Sequence, residues 1–108
     1  MLWERGGAAP GPDDASGGER RRAVRITGRV QGVGFRWWAR HTARELGVRG
    51  TVRNAGDGSV EVRMAGPEDA VNRFVRALEK GPGSARVQEI RDADLPTDDL
   101  PGSFEIVR

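Results

Sequence analysis

The chain passes from a strand to a helix within nine residues, Gly28-Arg29-Val30-Gln31-Gly32-Val33-Gly34-Phe35-Arg36. Upstream, Val24, Ile26 and Val30 alternate with polar residues, a pattern that predicts a half-buried strand. Gly28 falls inside this strand and marks a bend or a close approach of the backbone. Downstream, apolar residues recur at helical spacing from Phe35 to Leu46, and Gly47 ends the predicted helix.

The remaining chain predicts four more strands and a second helix. Residues 48–54 and 59–64 are predicted to form a hairpin, because the turn between them is rich in Asn, Asp and Gly. A helix with acidic residues at its start follows and ends at Lys80. Strands are expected at about 85–91 and 104–107, the short last one paired with the strand before it. The order βαββαβ, with one additional short strand, predicts an α+β, ferredoxin-like split βαβ fold, an antiparallel sheet with both helices on one face.

The composition is that of one small globular domain. The chain has 108 residues, of which 36% are hydrophobic and 31% charged. Residues 1–20 are rich in Gly, Pro and Asp, too polar to offset the entropy of ordering, so we predict a disordered tail over 1–20 and a folded domain over 21–108. The absence of cysteine excludes disulfides, a thiolate nucleophile and a cysteine–zinc site. No apolar run is long enough for a membrane span or a secretory signal, so we expect a cytoplasmic protein without a membrane partner.

Positive charge is concentrated in the first half of the predicted domain. Between Arg20 and Arg49 there are nine arginines and one acid, Glu45. Such a basic half suggests an anionic partner such as a phosphate, a carboxylate or a nucleic acid. Biased use of arginine, with most guanidinium groups solvated, explains the same numbers equally well, so the charge alone does not identify a partner.

The glycine-rich junction at 28–36 has the features of an anion site. Backbone N–H groups at a helix start have no intrahelical acceptor, and the helix dipole adds positive potential there. Glycines allow several N–H groups to converge on one anion. Arg36 adds a permanent charge with a fork that suits phosphate or carboxylate. A tight turn with a surface arginine also fits these residues. The pattern is neither a P-loop nor a dinucleotide fingerprint, because the glycine spacing differs and no Gly-Lys-Ser/Thr follows.

Two stretches resemble the signatures of the acylphosphatase family. Residues 28–36 are similar to G-x-V-Q-G-V-x-F-R, and residues 50–60, GTVRNAGDGSV, are similar to G-aromatic-V-basic-N-x3-G-x-V. Phe104-Glu105-Ile106 is similar to the family's last strand, so the resemblance covers about 22–108. It implies a hydrolase that converts acyl phosphates to a carboxylate and inorganic phosphate without metal or cofactor. Thr51 stands where the family usually has a bulky aromatic, which is expected to loosen packing or alter recognition of the acyl group.

The resemblance also implies a role for individual residues. Arg36 is implied to bind the phosphoryl group, and Asn54 is implied to hold the attacking water. The phosphate cradle is implied to consist of the backbone amides of Gln31, Gly32, Val33, Gly34, Phe35 and Arg36. Inorganic phosphate is then both product and inhibitor. Without the resemblance, Asn54 is a common residue at the start of a turn.

Two alternatives remain on the same fold. The first is a non-catalytic module that binds an anion in the same cradle but does not hydrolyse it. RNA-recognition modules share the order βαββαβ but stack bases on sheet aromatics. The exposed sheet face is instead expected to carry polar side chains, namely Arg25, Thr27, Arg29, Ser59, Glu61 and Arg63. The pattern therefore does not favour a nucleic-acid partner.

The remaining aromatic residues and the one histidine are expected to be structural. Trp38 falls on the buried face of the first predicted helix, and Trp37 is expected to be partly exposed at its rim. His41 falls on the polar face, which predicts a solvated side chain without a catalytic role. We assume a monomer.

Overall fold

Five strands and two helices make up the part of the chain that the computed structural model describes, residues 19–95 and 98–108. In chain order they are β1 (Arg20–Arg29), α1 (Phe35–Leu46), β2 (Arg49–Asn54), β3 (Val60–Gly66), α2 (Glu68–Lys80), β4 (Arg86–Asp92) and β5 (Phe104–Ile106). The predicted α+β class is confirmed, with the order βαββαβ followed by the short strand β5, and the bounds of α1 are those that its apolar spacing predicts.

The strands form one sheet in the order β4-β1-β3-β2-β5. Strands β1 to β4 pair antiparallel, whereas β5 pairs parallel with β2. The expectation that the last strand pairs with β4 is therefore wrong, since the two lie at opposite edges. Two contacts hold β5 beside β2: Phe104 packs edge-to-face on Phe74 of α2 with ring centroids 5.3 Å apart, and Arg44 Nε of α1 donates to the Phe104 carbonyl at 3.1 Å.

Both helices cover the same face of the sheet and enclose the core. The predicted apolar faces are confirmed: α1 buries Phe35, Ala39 and Ala43. Helix α2 buries Val71, Phe74, Val75 and Leu78 against them and against the sheet. Neither helix of the described residues is long and apolar enough to cross a membrane.

Gly28 allows β1 to bend before it enters the loop. The register between β1 and β4 shifts between Thr27 and Gly28, and Gly28 has a φ of 127°. A Cβ atom there would lie 2.1 Å from the Arg86 carbonyl oxygen of β4, so only glycine fits. Of the two predicted alternatives, a bend or a close backbone approach, the close approach is confirmed.

The described residues begin at Glu19, two positions before the predicted start of the folded domain. Arg20 already belongs to β1, and both Glu19 carboxylate oxygens accept hydrogen bonds from Arg49 of β2, at 2.9 and 2.7 Å. These bonds lower the pKa of Glu19 and raise that of Arg49. Strand β1 therefore starts one residue before the predicted boundary at residue 21, and the division into tail and domain itself stays a prediction. Residues 1–18 of the predicted disordered tail lie outside the described residues, and their disorder stays a prediction.

Candidate active site

The strand order brings the ends of β1 and β2 to the same edge of the sheet. Both strands run antiparallel to β3, which lies between them, so they are parallel to each other. Val60 of β3 pairs with Ile26 on one side and with Asn54 on the other. The chain that leaves β1 for α1 therefore starts next to the strand end that carries Asn54.

Asn54 faces the helices rather than the open side of the sheet. It has the same parity along β2 as Val52, which is fully buried in the core. The Asn54 Oδ1 atom is itself buried, and no donor among the described residues bonds to it. Because a buried amide oxygen without a partner is costly, this atom is suited to accept a hydrogen bond from a bound molecule.

The loop between β1 and α1 presents unpaired backbone N–H groups. None of the N–H groups from Gln31 to Arg36 donates to another described residue, and Trp38 is the first helical residue with an acceptor, the Gly34 carbonyl at 3.0 Å. Gly32 and Gly34 adopt positive φ angles of 75° and 79°, which curl the loop in front of the helix. Together with the α1 dipole, unpaired donors of this kind are suited to bind an anion.

The side chain of Gln31 ties this loop to the hairpin turn after Asn54. Its Nε2 donates to the carbonyl oxygens of Ala55 and Ser59, both at 2.8 Å. The same turn is closed by the Ala55 N–H, which donates to the Ser59 carbonyl at 2.8 Å. Gln31 thus fixes the proposed cradle relative to Asn54. The sequence assigns Gln31 only a backbone amide, and no local pattern indicates this contact across 24 residues.

Arg36 is half-buried in the first turn of α1. Within the described ranges no carboxylate pairs with its guanidinium group, whereas Arg25 and Arg53 on the open face both pair with Glu61. The donors of Arg36 are therefore available to a ligand at the same helix terminus as the unpaired amides.

Asp57 stiffens the hairpin turn that follows Asn54. Its Oδ1 accepts hydrogen bonds from the Ser59 hydroxyl at 2.6 Å and the Ser59 N–H at 2.9 Å, and its Oδ2 accepts one from Arg25 at 2.7 Å. These contacts, the Ser59 hydroxyl first, lower the pKa of Asp57. Arg25 also donates to the Ser59 hydroxyl oxygen at 3.1 Å. The expectation that Ser59 is exposed is wrong, because these neighbours leave only 2% of it accessible.

The open face of the sheet offers no stacking platform for bases in the described residues. The described aromatic residues lie elsewhere: Phe35, Trp37 and Trp38 on α1, Phe74 on α2, and Phe104 against Phe74. The open face instead carries ion pairs such as those of Arg25 and Arg53 with Glu61. This arrangement differs from that of RNA-recognition modules.

Thr51 lies on the face opposite to Asn54. It pairs with Arg63 and lines an open groove of about 350 Å³ together with Arg63, Leu100 and Val107. The small side chain at this position therefore lies on the open face of the sheet, opposite to the face that carries Asn54.

The predicted structural roles of three α1 residues agree with their positions. Trp38 packs edge-to-face on Phe35, with ring centroids 5.3 Å apart. Trp37 is 61% exposed, and the Arg40 guanidinium lies 4.3 Å from its ring centroid. His41 is exposed, and its Nε2 lies 3.5 Å from a carboxylate oxygen of Glu45. In the part of the chain that the structure describes, no three His, Cys, Asp or Glu side chains are grouped as metal ligands.

Unpaired backbone amides at the start of a helix are a common feature of phosphate-binding sites, and this α+β domain has such a helix start in α1. Residues 22–106 match the acylphosphatase family model. The acylphosphatase of Salinibacter ruber is 47% identical over 90 residues, which are 83% of this chain and 92% of that protein. The crystal structure of acylphosphatase from Bacillus subtilis matches with a TM-score of 0.75 and 34% identity, over 82% of this chain and 98% of its own. The chain belongs to the acylphosphatase family.

Membership of this family establishes the reaction. The protein is an enzyme that hydrolyses acyl phosphates to a carboxylate and inorganic phosphate. The crystal structure of full-length HypF in its phosphate- and nucleotide-bound form contains a similar domain, with a TM-score of 0.74 and 26% identity over 84% of this chain and 12% of HypF. The same domain therefore also occurs as a small part of a larger protein.

Proposed function

We propose that a water held by Asn54 attacks, in line, a phosphoryl group bound by Arg36 and the backbone amides of Gln31 to Arg36. The observation that carries this proposal is the buried Oδ1 of Asn54, which lacks a donor and lies at the strand end tied by Gln31 to the unpaired amides. An acceptor beside a concavity of donors is suited to hold a water against a bound anion.

The cradle supplies the charge stabilisation that phosphoryl transfer needs. The transition state is loose, with negative charge spread over three equatorial oxygens, so catalysis consists of positioning and electrostatic stabilisation. The unpaired N–H groups at the start of α1 and the Arg36 guanidinium donate to these oxygens. Their hydrogen bonds strengthen as charge develops, because donors fixed by the loop and helix do not have to reorganise.

The water is oriented by Asn54 and loses its proton to the substrate. The Asn54 Oδ1 accepts one hydrogen bond from the water and directs a lone pair towards phosphorus. As the P–O bond to the acyl group breaks, its electrons leave with the carboxylate. Carboxylic acids have a pKa near 4, so this group departs at neutral pH without a general acid. An oxygen of the phosphoryl group takes the water's proton, and the products are a carboxylate and inorganic phosphate.

We also propose that the protein is a monomer, that its substrate is a small acyl phosphate and that its product, inorganic phosphate, inhibits it. All of the proposed catalytic groups lie on one chain, from the β1–α1 loop to the end of β2, so the site needs no residue from a second copy. The cytoplasmic location that the sequence predicts stays a prediction.

Hydrolysis of benzoyl phosphate is expected to proceed at an unchanged rate in excess EDTA, with inorganic phosphate as a competitive inhibitor. The physical reason is that Arg36 supplies the positive charge that a metal ion provides in other phosphoryl-transfer sites. The assay compares initial rates before and after dialysis against the chelator, with added phosphate in a second series. Loss of activity in EDTA that Mg²⁺ restores contradicts the proposed role of Arg36.

A further inference from the structure

A serine outside both signature stretches contacts the proposed cradle. The Ser84 hydroxyl donates to the Val33 carbonyl oxygen at 2.8 Å, across 51 residues of sequence. Val33 lies in the middle of the 31–36 loop, so this bond attaches the loop to the segment between α2 and β4. Gln31 attaches the same loop on its other side, to the hairpin turn.

Ser84 is exposed and lies in a turn whose flanking residues are partly buried. The Ala85 N–H donates to the Pro82 carbonyl at 3.0 Å and closes the turn around Ser84. Just before it, a Cβ atom on Gly81 would lie 3.0 Å from Val87 Cγ2 and 3.5 Å from Phe35 Cε2. The segment therefore packs against the first residue of α1, which sets the position from which the hydroxyl approaches the loop.

The bond to the Val33 carbonyl also sets the direction of the next amide. The Val33 carbonyl and the Gly34 N–H belong to one peptide unit, and in a trans peptide they point in opposite directions. None of the peptide bonds of the described residues is cis. The Gly34 N–H therefore points away from Ser84, and it is one of the N–H groups without an acceptor in the described chain.

The backbone alone does not fix the orientation of the peptide unit between Val33 and Gly34. Reversing it changes mainly ψ of Val33 and φ of Gly34, and glycine adopts either sign of φ at little cost. Gly34 has a φ of 79° in the structure. The reversed peptide would present the Val33 carbonyl oxygen, rather than an N–H, to the bound anion. Only the orientation in which the Ser84 hydroxyl donates to the Val33 carbonyl oxygen offers the Gly34 N–H to phosphate.

We propose that Ser84 is a positioning residue for phosphate binding, whose hydroxyl keeps the Gly34 N–H directed at the phosphoryl group. The inference rests on the proposed function, since it assumes that the 31–36 amides bind the anion. Ser84 does not touch the substrate. It acts through the orientation of one peptide unit.

The test compares Ser84→Ala, Ser84→Thr and the control Ser103→Ala. Ser103 is an exposed serine whose hydroxyl lies 3.5 Å from Glu105, next to β5. Two quantities are measured: the inhibition constant of inorganic phosphate against benzoyl phosphate, and the response of the Gly34 amide in ¹H–¹⁵N NMR spectra to a phosphate titration. Loss of one hydrogen bond that biases a two-state peptide is expected to raise the inhibition constant about threefold to tenfold in Ser84→Ala. The Gly34 shift at saturation is expected to shrink, with Ser84→Thr and Ser103→Ala near wild type.

An unchanged phosphate inhibition constant and Gly34 response in Ser84→Ala overturn the role of Ser84 and leave the proposed cradle intact. A weakening that Ser84→Thr shares fully also overturns it, because threonine keeps the hydroxyl. If phosphate inhibits the wild-type enzyme but does not shift its Gly34 amide, that amide does not bind phosphate. This result contradicts both the proposed cradle and the proposed role of Ser84. Melting temperatures of all variants are measured alongside to show that each is folded.

Discussion

Asn54→Ala is expected to lower kcat for benzoyl phosphate about a hundredfold or more while the inhibition constant of inorganic phosphate stays near wild type. The substitution removes the buried Oδ1 that is proposed to hold the attacking water and leaves the anion-binding amides in place. Loss of one well-placed polar contact in a transition state costs about 3 kcal/mol, which corresponds to roughly a hundredfold in rate. The measurement is kcat and phosphate inhibition on the same preparation.

The control for this variant is Asn72→Ala, the same chemical change on α2. It is expected to keep kcat and phosphate inhibition close to wild type. Because Asn54 also precedes the hairpin turn, melting temperatures must show that both variants are folded. If Asn54→Ala is folded and keeps near-normal kcat, or loses phosphate binding as severely as a variant of Arg36, the water-positioning role is wrong.

Arg36→Lys is expected to weaken phosphate binding about tenfold or more and to lower turnover as well. Lysine keeps the positive charge but loses the planar fork that donates two parallel hydrogen bonds to an oxyanion. Hydrogen bonds to charged groups contribute about 1.5–3 kcal/mol each, so the loss of one is sufficient for this effect. Both the ground state and the transition state carry the phosphoryl charge, so KM and kcat are expected to change together.

Arg40→Lys is the matched control, because Arg40 lies one helical turn further along α1 and stacks on Trp37. It is expected to retain phosphate inhibition and kcat. A normal phosphate inhibition constant in Arg36→Lys, or equal losses in both variants, contradicts the assignment of Arg36 as the phosphate-binding side chain.

Local spacing predicts the helices and the hairpin but not the place of the last strand. The apolar face from Phe35 to Leu46 must be buried as a unit, so the bounds of α1 follow from its periodicity. A three-residue strand has no such constraint. The partner of β5 is set by the contact of Phe104 with Phe74 and by the bond from Arg44, both of which depend on the packed helices.

The same division between local and long-range information applies to the candidate site. Glycines followed by a helix predict a loop of unpaired amides, because that property is local to the backbone. The side chains that hold this loop in place are not predicted: Gln31 reaches the hairpin turn and Ser84 reaches the Val33 carbonyl. Both contacts join distant segments, so only the folded chain shows them. The sequence does not predict the burial of Ser59 either, because one of the side chains that cover it, Arg25, comes from another strand.

In the proposed mechanism, water attacks phosphorus while the acyl group leaves as a carboxylate. Hydrolysis of benzoyl phosphate in H₂¹⁸O tests it most directly, with both products analysed by mass spectrometry. Attack at phosphorus breaks the P–O bond and places one ¹⁸O atom in inorganic phosphate. Attack at the carbonyl carbon breaks the C–O bond and places the label in benzoate. We expect labelled phosphate and unlabelled benzoate, and ¹⁸O in the benzoate would contradict attack at phosphorus.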